Sequence, residues 1–216
     1  RELVERLRAC DPRIVSIVLN VNDRPTNVIL GRETRVLYGK GQISDVLCGV
    51  EFDLSPQSFY QVNSPGAERL YGVAADFAAL TGEETVIDLY CGAGTIGLSL
   101  AGRCKEVIGV EVVPQAVENA VANARRAGIS NARFFCADAA EAAARLSREG
   151  IRPGVVILDP PRKGCEEAVL ESVARMAPGR VVMVSCNSAT MARDCAVFAR
   201  LGYETVRCRP VDMFPR

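Results

Sequence analysis

Thr85-Val86-Ile87-Asp88-Leu89-Tyr90-Cys91-Gly92-Ala93-Gly94-Thr95-Ile96-Gly97 reads as a short β-branched strand that breaks into a glycine-rich turn and then opens a helix. Glycines in such a turn admit backbone angles closed to other residues and let a ligand approach the main chain closely. The signal is weak alone, because dinucleotide-binding folds use a similar turn. Further along, Val107-Ile108-Gly109-Val110-Glu111 is a second strand ending in a carboxylate, which can accept hydrogen bonds from both hydroxyls of a ribose. No P-loop lysine accompanies the turn, and Tyr90 and Cys91 stand where a pyrophosphate-binding loop needs small residues. The two motifs together therefore point to an adenosine without phosphates rather than to a dinucleotide. The competing readings are that Glu111 is a solvated charge at a strand end and that Cys91 only packs the loop.

Outward from this unit the pattern repeats. Arg133 to Cys136, Val155 to Leu158 and Val181 to Ser185 are further short apolar runs. Helix-like stretches alternate with them: Pro65 to Leu80, Ile96 to Ala101, Gln115 to Ala127, Ala139 to Glu149, Glu166 to Met176 and Ala189 to Leu201. Strands buried on both faces and alternating with helices predict an α/β, doubly wound parallel sheet, with its ligand outside the carboxyl ends of the strands. The first fifty or so residues differ. A helical turn leads into β-rich runs at Ile14 to Asn20, Asn27 to Tyr38 and Val46 to Phe52, with turn signals at Asn22-Asp23-Arg24-Pro25 and Tyr38-Gly39-Lys40-Gly41. Residues 1–52 are thus expected to be part of a small β-rich region and residues 53–216 the α/β domain.

Composition narrows the chemistry. The 216 residues include nine cysteines and no histidine, with a formal net charge of +0. Without histidine, Ser-His-Asp, Cys-His and His-ligated metal chemistry are excluded. The cysteines are scattered rather than paired as C-x-x-C, which argues against a zinc ribbon or a disulfide framework, so most should be small buried thiols and no metal is expected. No apolar run is long enough to span a bilayer and the N-terminus has no signal-peptide pattern, so no membrane partner and a cytoplasmic address are expected.

Two further strand ends carry chemistry. Asp159-Pro160-Pro161-Arg162-Lys163-Gly164 follows the fourth strand. Its prolines stiffen the loop and present Asp159 with little freedom, so that a planar base could lie against the loop and bond to the carboxylate. A plain strand-to-helix turn with a basic cap is the alternative. Ser185-Cys186-Asn187-Ser188-Ala189-Thr190 closes the fifth strand, and the helix that follows offers amides that favour a thiolate at Cys186. A cysteine here is more often structural, but its place among these motifs favours a nucleophile.

Taken with Ser55-Pro56-Gln57-Ser58-Phe59-Tyr60-Gln61-Val62-Asn63, these motifs resemble, in order and from about Val46 onward, the RNA uracil-5-methyltransferases that act on tRNA and large-subunit ribosomal RNA. The resemblance implies a Rossmann-like S-adenosylmethionine-dependent methyltransferase fold. It further implies methylation of C5 of a uridine in tRNA or 23S rRNA. Under it, Gln61, Tyr90, Gly92, Thr95, Glu111, Asp138 and Asp159 would contact cofactor or base, Cys186 would be the nucleophile, and Asp159 and Arg162 would hold the uracil. Ser188 stands where family members commonly carry proline. The family's glutamate base lies in a His-Val-Glu-type segment expected beyond Arg216. Its N-terminal RNA-binding barrel and, in many members, an iron-sulfur cysteine cluster are likewise expected outside this stretch, and a monomer is expected. The rival readings are a methyltransferase acting on a base amine, a non-catalytic RNA-binding fragment, and, more distantly, a nicotinamide-dependent oxidoreductase.

Overall fold

The computed structural model describes residues 1–23, 29–31, 33–56 and 59–214. Arg24, Pro25, Asn27, Gln57, Ser58 and Arg216, which figure in the motifs and boundaries above, lie outside them. The α/β part holds five parallel strands: β5 (Thr85–Leu89), β6 (Glu106–Glu111), β7 (Ala132–Cys136), β8 (Val155–Leu158) and β9 (Arg180–Met183). They lie side by side in the order β7-β6-β5-β8-β9. The chain winds from β5 outward to β7 in one direction and then crosses to β8 and β9 in the other. The reversal falls between β5 and β8, and crevices at such a switch point are where open α/β sheets bind ligands.

Alternating strand residues sort the core into two layers. Val86, Val107, Val155, Ile157 and Val182 face helices α2 (Ser64–Ala78), α3 (Thr95–Leu100) and α4 (Pro114–Arg126). Ile87, Leu89, Ile108, Val110, Val156 and Leu158 face α5 (Ala139–Arg148), α6 (Glu167–Met176) and α7 (Ser188–Arg200). Covered on both sides, the strands bury almost no polar side chains, as a parallel sheet requires. Asp88, buried at 1 % exposure within β5, is the exception.

Ahead of the sheet come helix α1 (Glu2–Cys10) and two antiparallel hairpins, β1 (Ile17–Val21) with β2 (Glu33–Tyr38) and β3 (Ile43–Leu47) with β4 (Val50–Leu54). The run Val46 to Phe52, read above as one strand, is two strand ends joined by a turn. Cys48 and Gly49 both take positive φ, +52° and +78°, the geometry of a two-residue hairpin turn. The second hairpin sends Leu47, Phe52 and Leu54 into the core layer beneath α2, α3 and α4. The last strand also ends earlier than Val181 to Ser185 suggested, at Met183. Among the described residues no helix is long and apolar enough to cross a membrane.

Candidate active site

The glycine turn after β5 is built by backbone bonds. Cys91 N–H donates to the carbonyl of Val110 at 3.0 Å and Gly94 N–H to that of Cys91 at 2.8 Å. Gly94, at φ +82°, is the N-cap of α3, and Tyr90 and Gly92 also take positive φ. A β-carbon at Gly92 would meet no atom beyond its chain neighbours within 4 Å among the described residues, so the turn opens onto free space. Glu111, at the end of β6, reaches this turn: its Oε2 accepts from Gly92 N–H at 3.1 Å while Oε1 accepts from the amides of Val112 and Val113. A carboxylate offers about four lone-pair sites, so acceptor capacity remains for a ribose. At the end of β7, Asp138 is exposed and caps α5, its Oδ1 accepting from Ala140 N–H at 2.8 Å and Glu141 N–H at 3.3 Å. An open glycine cradle flanked by two carboxylates fits the sugar and amine of a nucleoside cofactor.

On the other side of the switch point, Asp159 follows β8 directly. Burial pushes its carboxyl up to about 6. Beneath the turn, Asp88 accepts from Gly97 N–H at 2.9 Å through Oδ2. Its Oδ1 is buried and, among the described residues, has no partner. Burial raises the Asp88 carboxyl to about 7, helped by the charges of Asp159 and Glu111 and opposed by the Gly97 amide.

Cys186 lies three residues beyond β9 and is exposed. It does not turn into the hydrophobic interior. Ser185 Oγ accepts from Asn187 N–H at 3.1 Å and donates to Asn187 O at 3.0 Å, folding the chain around the cysteine. Asn187 then caps α7 by accepting from Ala189 N–H at 3.0 Å. The helix begins at Ser188, so serine in place of proline leaves its start intact. The Cys186 and Asp159 loops touch: Asn187 Nδ2 and Thr190 Oγ1 both donate to the Arg162 carbonyl, at 3.2 and 3.3 Å. Arg162 thus joins the site through its main chain, and its side chain is exposed.

Across the sheet, the carboxyl ends therefore present Asp138, Glu111, the Tyr90–Thr95 turn, Asp159 and Cys186 in one row, in strand order. Gln61 stands half-buried on the loop leading to α2, a loop held down by Tyr60 and Ser64, whose hydroxyls donate to Asp45 Oδ2 at 2.9 and 2.7 Å. Two participants escaped the sequence reading. Tyr71, buried on α2, shares a hydrogen bond with Thr95 Oγ1 at 3.1 Å, and its phenol is pushed up by burial and by the nearby charges of Asp159 and Asp88. Asp88 sits in a strand-interior position of the quoted motif, and its charge there was the only available signal.

Residues 28–215 match the family model described as tRNA (uracil-5-)-methyltransferase. A protein of Halalkalibacterium halodurans named an uncharacterized RNA methyltransferase is 49 % identical over 215 residues, covering 100 % of this chain and 47 % of that protein. One of Streptococcus agalactiae with the same description is 49 % identical over 214 residues, covering 99 % and 48 %. The chain therefore spans about half the length of these relatives. Among solved structures, the tRNA (uracil-54, C5)-methyltransferase of Pyrococcus abyssi in complex with S-adenosyl-L-homocysteine superposes with a TM-score of 0.78 at 32 % identity, over 93 % of this chain and 47 % of that one.

Proposed function

The chain belongs to the tRNA (uracil-5-)-methyltransferase family, and from that premise we propose that it carries the active site for methylating C5 of a uridine in RNA, tRNA or large-subunit ribosomal RNA, with S-adenosylmethionine as cofactor. The observation that supports this reading most is the row of strand-end groups, in which an exposed cysteine and a half-buried carboxyl stand on the far side of the switch point from an open glycine cradle.

C5 of uracil is a poor nucleophile. When the Cys186 thiolate adds to C6, the C5–C6 double bond opens and its electrons pass to C5, as an enolate with charge at O4. Bound in the cradle between Gly92, Glu111 and Asp138, S-adenosylmethionine would supply the electrophilic methyl group. Asp159 would accept from the polar edge of the ring, and the exposed Arg162 side chain could close over it, so that the base keeps one orientation relative to the sulfur. Loss of the C5 proton to a base, followed by departure of the thiolate from C6, restores the aromatic uracil and frees Cys186. Thiolate suits both ends of the cycle, being a strong nucleophile and a good leaving group. A stacked uracil cannot reach a sulfur at a strand tip, so the target must be unpaired or turned out of its helix.

The test is covalent capture. RNA carrying 5-fluorouridine has no C5 proton to lose, so the adduct persists. Wild type should shift to a protein–RNA conjugate in denaturing gels, with the mass located on Cys186, and Cys186→Ala should give none. Methyl transfer to ordinary RNA with no conjugate would instead favour a base-amine specificity, in which no nucleophilic cysteine is needed.

A further inference from the structure

The loop from Asp159 to Glu166 has little to hold it. Its two prolines have no N–H to give, and Asp159 N–H reaches Leu89 O only at 3.5 Å. Its internal main-chain bond is one turn, Gly164 N–H to Pro161 O at 2.8 Å, beside a surface ion pair of Lys163 Nζ with Glu166 Oε1 at 3.3 Å. Cys165 shares a side-chain hydrogen bond with Tyr90, and further anchors come from α7, some thirty residues later in the chain. Asp194, on that helix, is 1 % exposed. Its Oδ2 accepts from Cys165 N–H at 2.8 Å, and its Oδ1 accepts from Arg193 Nε at 2.8 Å and Nη2 at 2.6 Å. The same Arg193 Nη2 donates to the carbonyls of Lys163 at 3.0 Å and Cys165 at 3.1 Å. Gly164 lies so close to the pair that a β-carbon there would come within 2.5 Å of Arg193 Nη2 and 2.7 Å of Asp194 Oδ2, and its φ is +78°. Arg193 is about half exposed, so the pair is buried only on the Asp194 side, where the carboxylate is fully hydrogen-bonded and its use is to fix the loop against α7 rather than to add net stability.

Resting on the uracil reading above, we propose that Arg193 and Asp194 are positioning residues for the reaction. Helix α7 begins just after Cys186 and carries the pair less than two turns further on. By gripping residues 163–165 from that helix, the pair makes the nucleophile's support and the base-holding loop one rigid piece. The separation between the Asp159 carboxyl and the Cys186 sulfur is then set by α7 and not by the loop's own bonds. Neither residue reaches the cradle of Gly92, Glu111 and Asp138, so cofactor affinity should not depend on them.

The test uses Asp194→Asn, Asp194→Ala and, as an independent variant that leaves the charge pair in place but pushes the loop away, Gly164→Ala. Three quantities are measured: S-adenosylhomocysteine affinity, amide hydrogen exchange, and the rate of conjugate formation with 5-fluorouridine-containing tRNA and ribosomal RNA transcripts. The expected result is unchanged cofactor affinity, faster exchange in peptides spanning 162–166, and a conjugation rate lowered roughly 10- to 100-fold, the cost of a misplacement near 1 Å. The Asn variant should be the mildest, since its amide oxygen still accepts from Cys165. The proposal is overturned if the loop exchanges faster while conjugation keeps its rate. It is equally overturned if cofactor affinity and conjugation fall in step with thermal stability, which marks a purely structural pair. Failure of wild type itself to conjugate would instead bring down the uracil reading, and this proposal with it.

Discussion

Asp88 and Asp159 stand on neighbouring strands, and burial holds both carboxyls above the usual range, at about 7 and about 6. The consequences differ because one lies inside a strand and the other just past a strand's carboxyl end. For Asp88, the unfolded chain releases its proton near the ordinary carboxylate value of 3.8 and the folded chain only near 7. Stability must therefore fall as pH rises between these values and level off above them, by about 4 kcal/mol for this group alone. Asp88→Asn retains an acceptor for Gly97 N–H and removes that slope, so urea unfolding at pH 5 and pH 8 should show a smaller difference than in wild type. An undiminished difference would mean that other groups carry it. For Asp159 the quantity to follow is rate. If its carboxylate accepts from the uracil ring, conjugation with 5-fluorouridine RNA should rise with pH through about 6 and the limb should vanish in Asp159→Asn, with a loss of roughly 10²- to 10³-fold. A rate that falls through the same range would identify the neutral acid as the working form.

At the scale of elements, Asn123 shows how the second hairpin serves the site. It is fully buried on α4; its Oδ1 accepts from Asp53 N–H at 2.8 Å and its Nδ2 donates to Ala93 O, inside the glycine turn, at 3.3 Å. Asn123→Ala leaves a buried amide and a buried carbonyl unpaired, which should cost about 1–3 kcal/mol in urea unfolding and weaken S-adenosylhomocysteine binding in calorimetry. A loss of stability with unchanged affinity would confine Asn123 to the hairpin. The same residue explains what could and could not be read beforehand. The α/β alternation was legible because each strand is a short β-branched run covered on both faces, and Glu111, Asp159 and Cys186 were legible because they close such runs. Asn123, Tyr71, Asp88 and the Arg193–Asp194 pair were not, because they act through partners far along the chain or, for Asp88, from inside a strand where side-chain charge is unexpected. The turn at Cys48-Gly49 was missed for a local reason: apolar residues continue on both sides of it, so only the single glycine marked the reversal.

At the scale of the whole molecule, charge and length bear on where RNA affinity resides. Twenty-six basic and 26 acidic residues leave no net attraction for a polyanion, and the chain corresponds to about half of each similar protein. Near the proposed nucleophile the exposed cations among the described residues include Arg162 and Lys163 on the proline loop and Arg193 and Arg200 on α7, and the last three are already paired, with Glu166 at 3.3 Å, Asp194 at 2.6 Å and Glu167 at 3.1 Å. Each phosphate neutralised contributes about 0.7 to 0.9 to the slope of log affinity against log salt. These 216 residues should therefore bind RNA only in the non-specific range, about 10⁻⁴ to 10⁻⁶ M at physiological salt, with a shallow slope. Replacing Arg162 and Lys163 together by alanine should flatten that slope by at most about 2 and leave S-adenosylhomocysteine affinity as it was. Filter binding of a tRNA transcript across 50 to 200 mM salt reads both quantities. Nanomolar affinity with a steep slope would show that these 216 residues recognise RNA by themselves, through a surface their charge balance does not reveal.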